Sequence, residues 1–380
     1  MRILTFLHSF EPGGVERVAL RLVARWRDIG IDAPLFMGRT DGALRSELAT
    51  NLSYASPDQP AIGTAWWETL WMIRMLPRHI RRTAPDALFC AGSTYTIVAI
   101  AMKLVLGRAC PPILAKISND LVRADLPAPA RAMWKIWLRL QARFIDQWVV
   151  MDTAILPDVA THMGNVERTV IPDPAIDRLP PLRSLRVIDR GTRYVAVGRL
   201  ARQKNHALML AAYAEVARPD DRLTLIGEGP LRSRLEQQAA GLEISAQVHF
   251  AGHVPNAAEA MRDHDVLLLS SRYEGVPAVL IEALAAGLKI VSTDSGPGVR
   301  SVLANGGLGT VVVQDDTLAF AAALAAAPTK PVDVTSARKQ AQRFTLDAVV
   351  TDYVSAITQM VSIARRPIAT RPADAVEHAA

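Results

Sequence analysis

At 380 residues, half of them hydrophobic and 21% charged, the chain has an ordinary globular balance and room for two domains with separate cores. The net charge of +6 leans to one side: residues 1–172 hold 20 Lys/Arg against 15 Asp/Glu and all seven tryptophans, a composition suited to an anionic surface. Its apolar runs, such as Ile97 to Met102, fall well short of the roughly 18 residues that span a bilayer, and two cysteines in apolar settings support neither a disulfide framework nor a cysteine metal site.

The first predicted element is a strand from Arg2 to Leu7, with no small-residue cleavage site, so no signal peptide is expected and a cytoplasmic location is. The loop Ser9-Phe-Glu-Pro-Gly-Gly14 leads into a helix with Val15, Val18, Ala19, Leu22, Val23 and Trp26 at helical spacing. Further strands are predicted at Ala33–Met37, Asp86–Cys90, Ile113–Ile117 and Gln147–Met151, with helical stretches between them. Prolines 172, 174, 180 and 181 and a charged stretch to 190 read as an interdomain linker. A second alternating set follows, with strands at Tyr194–Val197, Arg222–Ile226, Gln247–Phe250, Val266–Leu269, Lys289–Ser292 and near Thr310–Val313. Helices at 317–326, 334–343 and 346–364 close the pattern, and the aperiodic tail from 366 reads as disordered. The fold class is α/β, with mostly parallel sheets and a ligand cleft between their carboxyl ends.

Glu274 and Glu282 lie eight positions apart, Glu274 in the loop after a buried-strand pattern and Glu282 within a helix opened by Pro277. That helix start would aim the N–H groups of Ala278, Val279 and Leu280 at an anion. Acceptor-only carboxylates beside it suit a ligand with a diphosphate and several hydroxyls, such as a nucleotide sugar. Gly198-Arg-Leu-Ala-Arg-Gln-Lys-Asn205 follows the first strand of the second set, so Arg199 and Lys204 would overhang the cleft and hold the diphosphate. Gly227-Glu228-Gly-Pro-Leu-Arg232 forms the next strand-to-helix turn, and fails as a dinucleotide fingerprint because Arg232 occupies the third glycine's place. His249 to Asn256, Val254 among them, could offer backbone groups to a base. No carboxylate cluster suggests a metal, and no cofactor is expected.

These motifs in this order resemble the group 1 (family 4) retaining glycosyltransferases of the GT-B fold, over about 198–309 and again at Gly13-Gly14-Val15-Glu16. The resemblance implies two Rossmann-like domains, 1–175 for the acceptor and 176–345 for the nucleotide sugar, with a last helix at 346–365 crossing back to the first. It implies that Arg199 and Lys204 bind the donor diphosphate, Glu282 the ribose hydroxyls and Glu274 the transferred sugar, with Gly14 against donor or acceptor. Gly198, Gly227, Glu228, Val254, Val279 and Leu280 complete the implied donor site. It also implies a retaining, metal-independent transfer from a UDP- or GDP-sugar to a glycan or lipid-linked acceptor in surface polysaccharide assembly. Three departures stand out. Lys116-Ile-Ser-Asn-Asp120 lacks the family's first-domain histidine, leaving Asn119 or Asp120 to take its contact, Asp173 replaces an asparagine, and Arg300-Ser301 replaces a Pro-Glu pair. A nucleotide-sugar isomerase or phosphorylase on the same plan, or a non-catalytic nucleotide-binding subunit, are the rival readings.

Tryptophans interleave with cations around Trp66, Trp67 and Trp71, and again at Arg131, Trp134, Lys135, Trp137, Arg139 and Arg143. Basic stripes flanked by tryptophan suit a helix lying at an anionic membrane, the inner face of the membrane for a cytoplasmic protein. No nucleic-acid motif is present.

Overall fold

Segments that are apolar at every position, such as Val266-Leu-Leu-Leu269 and Ala87-Leu-Phe-Cys90, are buried throughout and form central parallel strands. They belong to two sheets in a computed structural model that describes residues 1–59, 67–118, 121, 127–182, 191–254 and 257–365. The first half runs β1 (Ile3–Leu7), α1 (Gly14–Asp28), β2 (Leu35–Met37), α2 (Leu44–Leu48), α3 (Glu68–Thr83), β3 (Ala87–Cys90) and α4 (Thr96–Leu106). It continues with β4 (Ile113–Lys116), α5 (Ala128–Phe144), β5 (Gln147–Val150), α6 (Leu156–Met163) and β6 (Arg168–Val170). Its sheet is parallel, in the order β2-β1-β3-β4-β5-β6. Strand β6 has no counterpart in the sequence reading. It is three residues long and partly exposed, too short for a period to show.

The second half runs β7 (Arg193–Val197), α7 (His206–Val216), β8 (Arg222–Ile226), α8 (Arg232–Gly241), β9 (Val248–Gly252), α9 (Ala257–Met261) and β10 (Val266–Leu269). Then come α10 (Ala278–Ala286), β11 (Lys289–Thr293), α11 (Pro297–Val302), β12 (Thr310–Val312), α12 (Thr317–Ala326), α13 (Val334–Gln342) and α14 (Leu346–Ala364). This sheet is also parallel, ordered β12-β11-β10-β7-β8-β9, with a core on each face. Aspartates start two of its late helices: Asp316 accepts from the Ala319 N–H at 2.9 Å and Asp333 from the Ser336 N–H at 3.0 Å. Gly287, in the left-handed region at φ 76°, ends α10.

Helix α14 leaves the second half and buries Val349, Val350, Tyr353, Ile357 and Met360 in the core of the first. The Tyr353 ring meets Phe89 of β3 edge-on at 5.4 Å and Trp26 of α1 at 6.2 Å. Outside this packing, Arg25 of α1 pairs with Asp347 at 2.7 Å. The chain thus passes between the halves twice, and the two passages are laced together. Ala175 N–H donates to the Phe344 carbonyl at 3.0 Å, and Leu346 N–H to that of Ile176 at 2.9 Å. The expected linker stretch 183–190 and the tail 366–380 lie outside the described residues.

Candidate active site

In each sheet the strand order reverses at one point, between β1 and β3 in the first and between β7 and β10 in the second. Loops leaving the carboxyl ends of such a strand pair diverge and open a crevice. The loops after β7 and β10 carry Arg199, Lys204 and Glu274. Lys204 Nζ and Glu274 Oε1 meet at 2.6 Å, with the Glu274 side chain only 9% exposed. Ser271 donates to the same carboxylate oxygen at 2.6 Å, and Ser270 holds the Lys204 carbonyl at 2.8 Å. Gln203 and Tyr273 are joined by a further bond at 2.9 Å, so the two loops behave as one piece. Arg199 is exposed and makes no side-chain hydrogen bond or ion pair among the described residues. The site therefore holds one neutralised cation and one available cation.

The glycines explain how these loops approach. Gly227, after β8, has φ 140°, and a Cβ there would fall 2.1 Å from the Gly198 carbonyl oxygen. Gly198 in turn runs against the Lys204 stem, 3.2 Å from where its own Cβ would lie. The turn Gly296-Pro-Gly298 after β11 backs the loop that carries Glu274. A Cβ on Gly298 would sit 1.9 Å from the Gly275 carbonyl oxygen. This close packing, invisible in the sequence, is why a glycine-proline-glycine turn follows β11. The neighbouring departure, Arg300, pairs with Asp294 at the end of that strand.

Helix α10 differs in detail from the sequence reading. Pro277 is its extended N-cap rather than part of its first turn, and the Leu280 N–H already donates to the Pro277 carbonyl at 3.1 Å. Leu280 therefore has no free donor for an anion, and the side chains of Val279 and Leu280 are buried in the core. One turn further on, Glu282 is half-buried and has no hydrogen bond or ion pair among the described residues. Burial pushes its carboxyl up to about 7, partly opposed by the Arg21 guanidinium of α1. Arg21 is anchored to the Pro174 carbonyl and to Asp177, so α1 and α10 face one another across the junction of the halves.

On the β8 side, Glu228 accepts from Arg232 at 2.6 Å, and Arg232 also reaches Glu236 and the Phe250 carbonyl. Arg232, which spoils the dinucleotide fingerprint, therefore organises this turn. Val254 is half-buried against the core that contains α10.

The crevice of the first sheet contains a group the sequence reading missed. His8 follows β1 directly, its ring 4.7 Å from that of Tyr95 and its Nδ1 3.5 Å from Glu68. Burial and nearby Arg39 hold its imidazole down to about 4, so it is neutral. Glu68, at the start of α3, is pushed up by the same burial and also pairs with Arg39 at 3.3 Å. The available signal was position, since the first polar residue after the first strand lies at the mouth of such a sheet. Beside it, Tyr95 donates to Glu16 of the glycine loop, and Gly13 packs on the Glu16 carboxylate. A Cβ on Gly14 would meet nothing within 4 Å, so the space before it is open.

Asn119 and Asp120 lie outside the described residues, as does Trp66. Lys116 does not reach toward the crevice. It is 1% exposed and pairs with Asp173 at 2.6 Å, next to the buried Tyr353 phenol, whose ionisation is suppressed by burial and by that aspartate. One of the family departures, Asp173, thus stands where a buried lysine must be neutralised.

Of the tryptophans expected at a surface, Trp71 is buried and Trp67, Trp134 and Trp137 are half-buried. Trp71 is buried with Trp67 edge-on against it at 5.5 Å, and Trp134 donates to the Leu121 carbonyl at 2.9 Å. Among the described residues, no helix is long and apolar enough to cross a membrane.

The family model for glycosyl transferases group 1 matches residues 184–344. The putative glycosyltransferase EpsF of Bacillus subtilis is 39% identical over 101 residues, 26% of this chain and 26% of that protein. A Campylobacter jejuni protein described as GalNAc-alpha-(1->4)-GalNAc-alpha-(1->3)-diNAcBac-PP-undecaprenol alpha-1,4-N-acetyl-D-galactosaminyltransferase is 25% identical over 249 residues, 65% of this chain and 66% of that one. The chain spans only 26–33% of the length of the first curated relatives it matches. Among solved structures, Anabaena HepE in complex with UDP superposes with a TM-score of 0.76 at 17% identity, covering 94% of this chain and 100% of that one, a likeness of fold alone. Residues 184–344 thus match the group 1 glycosyl transferases, and the architecture is that of the GT-B fold.

Proposed function

We propose that the chain is a retaining, metal-independent glycosyltransferase of surface polysaccharide assembly. It would move a sugar from a UDP- or GDP-sugar to a glycan or lipid-linked acceptor, and with a lipid-linked acceptor it would work against a membrane surface. Residues 1–175 take the acceptor in this reading and 176–345 the donor. The observation that carries it is the buried Lys204–Glu274 pair, with Arg199 on the same loop as Lys204 and Glu282 on the helix after Glu274, neither holding a side-chain hydrogen bond or ion pair among the described residues. The pair has the character of a placeholder. A diphosphate entering the crevice offers Lys204 a stronger partner and releases Glu274 to accept hydrogen bonds from the sugar hydroxyls. Glu282 is then a free acceptor for the ribose hydroxyls. Gly227 and Glu228, with the Val254 backbone, line the base side, and the Ala278 and Val279 N–H groups complete the phosphate cradle.

In the reaction, the bond from the anomeric carbon to the β-phosphate oxygen breaks while the acceptor hydroxyl oxygen bonds to that carbon on the same face. The hydroxyl proton passes to the departing phosphate oxygen. Arg199 and Lys204 hold the charge that grows on the diphosphate, the term that most lowers such barriers. The Campylobacter protein's description, which includes an undecaprenol diphosphate, and the UDP bound to HepE support the acceptor and donor classes chosen. A thermal-shift panel of UDP, GDP and ADP with their glucose conjugates tests the donor site, since a ligand of the native state raises the melting temperature. One nucleotide should stand out; no shift with any of the six would overturn the proposal.

A further inference from the structure

The outward face of α5 serves no purpose in the donor site. Met133 is 71% exposed, Ile136 67% and Leu140 40%, three large apolar side chains one helical turn apart on the solvent side. Lys135, Arg139 and Arg143 are exposed beside them, and residues 128–144 contain no aspartate or glutamate. The inward face is occupied by Leu138, Gln141 and Trp134, which accounts for the tryptophan and leaves the exposed apolar residues unexplained. Helix α4 lies alongside in the same layer, with Leu104 67% and Val105 52% exposed and Arg108 exposed just beyond its end. Scattered exposed apolar residues are ordinary, but a row flanked by one sign of charge marks a contact surface.

We propose that this α4–α5 face docks the protein on an anionic phospholipid surface. The contact is chosen by charge and by the apolar row together. Cations with no ion pair among the described residues attract acidic headgroups, and their aliphatic stems allow Met133, Ile136 and Leu140 to enter the acyl boundary. A nucleic acid would be served by the cations alone and gains nothing from the apolar row. Helices of a parallel α/β sheet begin at its ligand-binding end, so a helix lying on the lipid keeps the crevice within reach of an acceptor held there. The proposal adds a face and an anchor set to the function proposed above, but needs neither donor nor acceptor to be tested.

The experiment is co-sedimentation of the full chain with phosphatidylcholine vesicles, with and without phosphatidylglycerol, alongside the nucleotide thermal shift. The wild type should sediment with the acidic vesicles and lose most of that binding at high salt. A Met133→Ser/Ile136→Ser/Leu140→Ser variant and a Lys135→Gln/Arg139→Gln/Arg143→Gln variant should each bind about tenfold more weakly or worse, with the nucleotide shift unchanged. Wild-type protein that stays in the supernatant, or variants that bind like it, overturn the membrane face and leave the donor site standing. A concentration-dependent dimer dispersed by the serine variant would assign the face to a second copy of the chain and equally overturn the proposal. Vesicle binding without any nucleotide shift would uphold this face and sink the transferase reading instead.

Discussion

Lys204 and Arg199 carry the same charge in different circumstances, and that difference can be measured. Arg199 is exposed and unpartnered among the described residues, so its side chain supports little of the fold. Arg199→Ala should leave the melting temperature near that of the wild type while lowering turnover roughly 10²–10³-fold, the usual cost of one preorganised charge-stabilising donor. Lys204→Ala should lower both, because it strands Glu274 as a buried, unpaired carboxylate at a cost of roughly 3 kcal/mol. Nucleotide release from the donor and thermal melts read the two effects, and normal turnover in both variants would remove these cations from the mechanism. Glu282 yields a pH signature. Its folded-state value near 7 lies above the ordinary 4.5, so its contribution to stability is present below about 4.5 and is lost as pH rises through 7. Glu282→Gln should therefore melt higher than wild type at pH 8 and converge with it near pH 5. Equal melting temperatures at pH 8 would show that the carboxyl is not held in the buried setting described.

At the scale of elements, legibility in the sequence followed burial. Segments whose every residue is buried, such as β10, and helices with one apolar stripe, such as α14, were placed to within a residue or two from period alone. Strand β6, three half-exposed residues, carries too little pattern to be seen. The meeting of Lys204 with Glu274 was legible because both residues follow strand ends in an order that chain direction preserves. The His8, Glu68 and Arg39 group was not, because its members come from three separate strand ends and loops and meet only once β1 lies between β2 and β3. The basic helix was legible as to charge but not as to the direction of Trp134. Composition cannot say which way a tryptophan points, and Trp134 points to the Leu121 carbonyl.

For the whole molecule, the last helix has a consequence in time. Trp26 and Phe89 belong to the first domain, yet the ring that closes over them is Tyr353, near the end of the chain. During synthesis at about 5–20 residues per second, the first domain must therefore wait on the order of ten to forty seconds for the helix that completes its core. Residues 1–175 expressed alone are predicted to bind a hydrophobic dye and to aggregate, and to be rescued by a supplied peptide of residues 346–364. A soluble, cooperatively melting 1–175 fragment would refute this. If the prediction holds, the half of the chain made first is finished last, and a ribosome that stops before Leu346 releases no completed domain at the amino end.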